Sequence, residues 1–468
     1  MRGFPLQISE RRLLIAVGDV IAISLSVLLS LRLWAQVGHI DFDIDFLRSQ
    51  FGWFIILAGL WLMLANVNEF YDLRLAARPR ATAACLARIT VQLLVVYLIL
   101  FFISARDALP RLFILYHAAI SGVLIAGWRL WRPYLTGWRA FRRQALIIGT
   151  GWAAETIIST LDTDAPNEYN IVGLVRAIAN PAVTDVHNYP VLGTGRDLPA
   201  LTRQYDITDF ILTGSTELPA DLFEGLLSCY ELGVAMTPMP LLYEQITGRV
   251  PIEHVGRQHW TVVLPLDANT LSKRVYLAAK RIGDVLLAML GLLGFCVLLP
   301  VLALAMRLDS PGALFYAQER VGRGGKPFRV VKLRTMIPDA ERYSGPVWAQ
   351  KRDPRITRVG ALLRKTRLDE FPQLVNVLRG EMSIVGPRPE RAFFVDQLTV
   401  EIPFYRTRLV VKPGLTGWAQ VRYHYGNTTD DALIKLQYDL YYIRHQSLAL
   451  DALIILQTFG KILAFQGT

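Results

Sequence analysis

Arg364-Lys-Thr-Arg367-Leu-Asp369-Glu370-Phe371-Pro372-Gln-Leu-Val-Asn-Val-Leu-Arg-Gly380 joins two adjacent acids to a run of arginines and to a helical pattern. Val359, Leu362 and Leu363, then Phe371, Leu374, Val375 and Leu378, recur at helical spacing. Taken alone, Asp369 just ahead of a proline-started helix reads as an N-cap, and Glu370 as a first-turn acid favoured by the helix dipole. The surroundings ask for more. Residues 320–372 hold 14 Lys and Arg against 5 Asp and Glu. Gly386-Pro387-Arg388-Pro389 follows closely, and its two prolines stiffen the backbone around one arginine, a fixed fork suited to phosphate. Nucleic-acid binding is the competing use of this charge, but no reader motif is interleaved with it and the region follows an apolar segment. A membrane-apposed basic face accounts for many of these cations and is compatible with catalysis.

That apolar segment, Ile282–Met306, is hydrophobic enough to cross a bilayer. Lys273, Arg274, Lys280 and Arg281 precede it, and Arg307, Arg320, Arg323, Lys326 and Arg329 follow it. Basic residues on both sides conflict with a simple crossing. Pro300 removes a helix hydrogen bond, so the reading is a re-entrant helix at about 282–306, kinked at Pro300, that enters and leaves on one face. The alternative is an ordinary fifth span.

Upstream, the chain reads as two further regions. Residues 1–143 carry four apolar runs, roughly Leu13–Leu33, Phe51–Val67, Thr82–Ser104 and Leu112–Leu130. Arg2, Arg11 and Arg12 precede the first; Asp41, Asp43 and Asp45 follow it; Arg74, Arg78, Arg80 and Arg88 surround the second connection; Asp107 marks the third; Arg129, Arg132, Arg139, Arg142 and Arg143 close the region. The alternation puts both ends of this bundle in the cytoplasm. Asp19, inside the first run, is expected to reach the interface or pair with Arg11 and Arg12. No small-residue cleavage site follows the first run, so no removable signal peptide is expected.

Residues 144–265 read as a Rossmann-like α/β domain. The strand Ala145–Ile148, the loop Gly149-Thr-Gly151-Trp-Ala-Ala154 and a helix from Glu155 follow in the order a dinucleotide fold needs. Ile171–Val175, Asp209–Leu212, the helix Leu222–Leu232 and Gly233–Met236 continue the alternation. Gly149 and Gly151 are the candidate nucleotide-loop residues. An acid should follow the second strand to hold a ribose, yet Val175 is followed by Arg176 and Ala177, so a structural or regulatory role competes with ligand binding.

The whole chain has 468 residues, a net charge of +11, 53% hydrophobic and 19% charged residues, which suits a membrane protein with anionic partners. Cys85, Cys229 and Cys296 form no C-x-x-C pair and the seven histidines lack metal-ligand spacing, so neither a disulfide framework nor a zinc site is expected. Leu433–Leu463, with Tyr438, Tyr441 and Tyr442, reads either as interfacial helices or as helices closing a core.

At 270–468 the chain resembles the polyprenyl-phosphate hexose-1-phosphate transferases, the monotopic phosphoglycosyl transferases of bacterial sugar-polymer synthesis. The resemblance rests on Pro300 in its apolar segment, Val331-Lys332-Leu-Arg334-Thr-Met336, Leu368-Asp369-Glu370-Phe-Pro372-Gln-Leu374, Ser383-Ile-Val-Gly-Pro387-Arg388-Pro389-Glu390 and Lys412-Pro-Gly-Leu-Thr-Gly417-Trp418. The preceding part, including Tyr243-Glu-Gln-Ile-Thr-Gly248-Arg249-Val-Pro251, resembles the long form with a four-span bundle and a Rossmann-like domain. It implies a multidomain membrane protein whose catalytic domain, 266–468, is mostly α-helical. It implies transfer of a hexose-1-phosphate from a UDP-sugar, UDP-glucose first and UDP-galactose next, to undecaprenyl phosphate, with release of UMP. Asp369 would be the nucleophile, Asp369 and Glu370 would hold Mg2+, and Lys332, Arg334, Arg364, Arg367 and Arg388 would bind phosphate. The implied setting is the bacterial inner membrane, multi-pass, with both soluble domains cytoplasmic, in exopolysaccharide or capsule synthesis. Membrane lipids, downstream glycosyltransferases and a second copy of the chain are the implied partners, and nucleic acid is not. The competing reading is a non-catalytic membrane scaffold that senses nucleotides.

Overall fold

The computed structural model describes residues 8–71, 75, 79–103, 113–136, 143–165, 168–176, 185–213, 219–252, 270–337, 354–423, 426 and 428–463. The connection at Asp107, Arg74, Arg78, Arg139, Arg142, Ala177 and the 253–265 end of the expected α/β domain lie outside the described residues. The chain forms two compact units, Met1–Thr247 and Gly248–Thr468. The expected boundary at 265 differs from this: Val250 and Ile252 belong to the second unit's core.

In the first unit, α1 (Ile8–Val37), α2 (Phe51–Val67), α3 (Pro79–Ile103) and α4 (Phe113–Thr136) are apolar on most sides. One side of each packs inward through Ile23, Val27, Trp61, Ile89, Leu93 and Phe113, while Leu13, Ile21, Ile55, Val91 and Val123 face outward. That all-round hydrophobicity is the signature of lipid contact. Leu13–Val37, Pro79–Ile99 and Phe113–Trp131 are long and apolar enough to cross a membrane. The second expected span is a 17-residue apolar helix, which at roughly 1.5 Å per residue reaches about 26 Å. Asp19 pairs across the bundle, while the side chains of Arg11 and Arg12 lie outside the described residues. Its Oδ2 lies 2.6 Å from Nη2 of Arg129 on α4, and Nη1 of Arg129 donates to the Phe70 carbonyl at 3.2 Å. Both charges are buried, so one acid and one arginine solve each other's desolvation.

The same unit contains a six-stranded sheet in the order β3-β4-β2-β1-β5-β6, formed by β1 (Arg143–Ile148), β2 (Tyr169–Val175), β3 (Asp185–Val186), β4 (Tyr189–Gly193), β5 (Asp209–Leu212) and β6 (Ala235–Pro238). All neighbours pair in parallel except β3 with β4. α5 (Trp152–Asp164) and α8 (Met239–Thr247) cover one face, and α6 (Leu198–Tyr205) and α7 (Ala220–Glu231) the other. β6 starts at Ala235 because Gly233 takes a left-handed turn, φ 83°. Gly149 has φ 121° and Gly151 is the N-cap of α5, the loop a dinucleotide fold would place there.

The second unit is built along α9 (Leu271–Asp309), a continuous 39-residue helix with Pro300 inside it. The helix runs without interruption through Pro300, where the sequence predicts a kink. Tyr276, Asp284, Ala288, Phe295 and Met306 are buried on one face, and Leu286, Leu290, Leu293, Val297, Val301 and Leu304 are exposed on the others. Both ends hold the same unit. Near the start, Arg281 donates to the carbonyls of Val377 and Leu378 at 2.6 and 2.8 Å. Asp284 accepts from Ser383 Oγ and Ile384 N at 3.1 and 2.9 Å. At the far end Asp309 accepts from Val359 N at 2.9 Å.

The hairpin β7 (Phe315–Val321) and β8 (Pro327–Leu333) follows, then α10 (Arg358–Thr366), α11 (Leu374–Arg379) and β9 (Ser383–Val385). α12 (Ala392–Glu401), β10 (Gly414–Thr416, parallel to β9), α13 (Trp418–Arg422), α14 (Thr429–Arg444) and α15 (Leu448–Leu463) complete it. The expected C-terminal helices close the core: Leu436, Leu440, Tyr442, Ile443 and Ile454 are buried in it. Asp284→Ala orphans two donors at the start of β9, an expected loss of about 1–3 kcal/mol for each; a thermal melt in detergent unchanged from the parent would contradict this.

Candidate active site

α10 is capped at its start by Thr357 Oγ1, which accepts from Gly360 N at 3.0 Å. It ends where Arg367 adopts a left-handed conformation, φ 56°. That reversal starts a 3-10 turn, Leu368–Gln373, which carries Asp369 and Glu370 and contains Pro372. Asp369 is therefore not the N-cap of a proline-started helix; α11 begins only at Leu374. Phe371 of the turn packs on Phe295 of α9 with ring centroids 5.9 Å apart, which ties the acids to the apolar helix.

The two acids are equally buried, at 8% exposure, and differ in what surrounds them. Oε1 of Glu370 accepts from Lys332 Nζ on β8 at 2.9 Å and from Arg388 Nη2 at 2.6 Å. Among the described residues Oε2 has a 3.5 Å contact with Arg388 Nη1 and no closer partner. Burial would raise the Glu370 pKa, but Arg388 and Lys332 outweigh it and hold the carboxyl well below its ordinary value. Among the described residues Asp369 has no hydrogen-bond or ion-pair partner. Burial, and then the Glu370 charge, push its pKa up to about 6, against the pull of Lys332, Arg364 and Arg388. One acid is a clamped anion. The other is a poorly solvated, unpaired carboxylate.

Five cations were expected here. Lys332 and Arg388 touch Glu370. Arg364 is held by Thr335, its Nε donating to Oγ1 at 3.0 Å, and its charge acts on Asp369. Arg367 acts on Glu370 by charge. Arg334 does not join them: its guanidinium binds the carbonyls of Ser310 and Pro311, just past the end of α9. A cation at a helix C-terminus satisfies orphan carbonyls, and the sequence could not distinguish that use from phosphate binding. Pro300 lies on α9, while Gly149 and Gly151 belong to the first unit. Thr335, Asp284 and Arg281 support the site and were missed, because their bonds join positions far apart in sequence.

The family model for bacterial sugar transferases matches residues 275–465, and one for a CoA-binding domain matches 66–217. The chain is 44% identical over 224 residues to the UDP-N-acetylgalactosamine-undecaprenyl-phosphate N-acetylgalactosaminephosphotransferase of Aeromonas hydrophila, a match covering 48% of this chain and 51% of that protein. It is 43% identical over 190 residues to the UDP-glucose:undecaprenyl-phosphate glucose-1-phosphate transferase of Xanthomonas campestris, covering 40% and 39%. It is 52% identical over 149 residues to a putative undecaprenyl-phosphate N-acetylgalactosaminyl 1-phosphate transferase of Bacillus subtilis, covering 31% of this chain and 83% of that protein. The chain belongs to the bacterial sugar transferases, the polyprenyl-phosphate sugar-1-phosphate transferase family. The matched segment of this sugar transferase holds the acidic pair and all five expected cations, and it begins inside α9. The matches thus span about half or less of the Aeromonas and Xanthomonas relatives and most of the Bacillus one.

Proposed function

We propose that this chain transfers a sugar-1-phosphate from a UDP-sugar to undecaprenyl phosphate at the cytoplasmic face of the inner membrane, an initiating step of exopolysaccharide or capsule synthesis. The observation that carries the reading is the buried carboxyl of Asp369, without a hydrogen-bond or ion-pair partner among the described residues, beside a Glu370 neutralised by Lys332 and Arg388. A carboxylate oxygen of Asp369 attacks the phosphorus that bears the sugar. The bond from that phosphorus to the bridging oxygen breaks, UMP leaves with the electron pair, and an acyl-phosphate sugar remains on the protein. An oxygen of the lipid phosphate then attacks the same phosphorus, giving the lipid diphosphate sugar and restoring the carboxylate. The covalent route divides one displacement between two anions into two easier ones. Arg388, Arg364, Arg367 and Lys332 spread positive charge over the transferring group.

Asp369 and Oε2 of Glu370 keep lone pairs that suit a hard divalent cation, so these two residues would hold Mg2+. Bound there, the metal would neutralise phosphate charge. The 39-residue apolar helix gripped at both ends by one unit supports a re-entrant placement, since Arg281, Asp284 and Asp309 all bind elements of the catalytic side. The donor reading keeps UDP-glucose and adds UDP-N-acetylgalactosamine, because relatives bear both names. A panel of radiolabelled UDP-sugars presented to membranes containing the chain decides among them; no label in lipid from any donor would refute the reading.

Only ionised Asp369 attacks. With its pKa near 6, kcat/KM is expected to be half its plateau near pH 6 and to fall about tenfold per pH unit below. An ordinary aspartate would hold its plateau to about pH 4, and a pH profile of that shape would remove the burial argument.

A further inference from the structure

Four consecutive carbonyls of the Pro387–Glu390 loop each receive a hydrogen bond. Gly414 N donates to Pro387 O at 2.9 Å, Arg320 Nη1 to Pro389 O at 3.1 Å and Val321 N to Glu390 O at 2.9 Å. The carbonyl of Arg388 itself is taken by Nη2 of Arg408, at 3.1 Å. Arg408 sits in the 3-10 turn Tyr405–Val410 and is 7% exposed. Its Nη2 also donates to Oδ2 of Asp439 at 2.7 Å, and its Nη1 to the Tyr405 hydroxyl at 2.7 Å. Asp439 lies on α14 and is 2% exposed. A line of contacts thus runs from the α14 core through Asp439 and Arg408 to the backbone of Arg388, and through its fork to Glu370.

We propose that Arg408 and Asp439 are positioning residues for transfer: together they fix the backbone of Arg388 so that its guanidinium meets Glu370 and the transferring phosphate. The proposal rests on the transferase reading above. A buried ion pair is a poor way to gain stability, because well-packed apolar groups often do as well. This pair ends on the carbonyl of the arginine that grips Glu370, which gives its retention a use beyond stability. Two prolines fix the φ angles on either side of Arg388 but bond to nothing at its carbonyl; Arg408 supplies that bond.

The test is a cycle in the full chain. Arg408→Met with Asp439→Leu removes both charges together and so avoids an unpaired buried ion. In the parent background this pair of changes is expected to keep the melting temperature and lower kcat about 100-fold, the cost of misplacing a catalytic group by about 1 Å. In an Arg388→Ala background it is expected to cost little more, because the group it positions is gone. Equal losses in both backgrounds, or full activity in the first, overturn the proposal. If the double replacement does not fold, Asp439→Asn, which keeps the shape, enters the same cycle with an expected several-fold loss and the same deciding outcomes. A second readout does not depend on turnover. Phenylglyoxal labelling of Arg388, followed by peptide mass spectrometry, is expected to rise several-fold in the altered chain; unchanged labelling overturns the positioning claim. A parent chain that transfers no sugar phosphate would sink the transferase reading, and labelling would still decide this one.

Discussion

Asp369→Asn is expected to abolish transfer, by at least about three orders of magnitude in kcat, while the protein melts no lower than the parent at pH 7.5. Under the proposed chemistry the first half follows from bond formation: an amide oxygen cannot give the acyl phosphate, so what remains is what binding and the cations supply. The second half follows from the folded-state pKa near 6. Folding raises that value above the ordinary aspartate one, so the folded state binds the proton more tightly than the unfolded chain does. Asp369 therefore adds stability at low pH and loses it as pH rises from about 4 to about 6. At pH 7.5 the carboxylate is a liability that Asn removes. Acid-quenched protein incubated with a sugar-labelled donor should carry label in the parent and none in the variant. Residual transfer at a tenth of the parent rate would rule out the nucleophile assignment.

Glu370→Gln should also inactivate, but for the opposite reason and with the opposite effect on stability. The Glu370 pKa is depressed, so its stabilisation is present above the unfolded value and is lost as pH falls through the folded one. Removing the charge leaves Lys332 and Arg388 without the anion they share. Breaking a buried pair in this way costs about 3–5 kcal/mol. The expectation is a clear drop in melting temperature and a loss of activity of about 1,000-fold or more, since the cations then compete for Asp369 and, under the proposed function, a ligand for the divalent cation is lost. Neighbouring carboxylates changed to their amides would thus give one stable inactive protein and one unstable inactive protein. Equal melting temperatures would show that the difference in their surroundings is not as described.

Much of this was readable in the sequence because local rules carried it. Adjacent acids among arginines, prolines around Arg388, and strand, glycine loop and helix at 145–161 each follow from residues a few positions apart. The parts that were misread depend on long-range pairing. For Asp19 the sequence offers the interface or the nearby Arg11 and Arg12, and gives no sign of Arg129, 110 positions away, which reaches it across the bundle. Arg334 looked like another phosphate ligand until the end of α9 came to lie beside it. The local geometry at Asp369 is a further case: Pro372 fits the first turn of a helix, yet the left-handed Arg367 starts a 3-10 turn first. Arg408 and Asp439 gave no signal, since neither belongs to a short pattern. The glycine loop of the α/β domain was readable as geometry, whereas its ligand was not, because Arg176 stands where a ribose-binding acid would.

Four cations, Lys332, Arg364, Arg367 and Arg388, act on the two adjacent carboxylates, so before any substrate arrives the site holds an excess of positive charge. Under the proposed chemistry a pyrophosphate donor quenches that excess, and departure of UMP restores part of it at the moment the second anion is needed. The same cage can therefore attract two mutually repelling molecules only by taking them in turn, which makes the order of events a property of the resting charge rather than of any moving part.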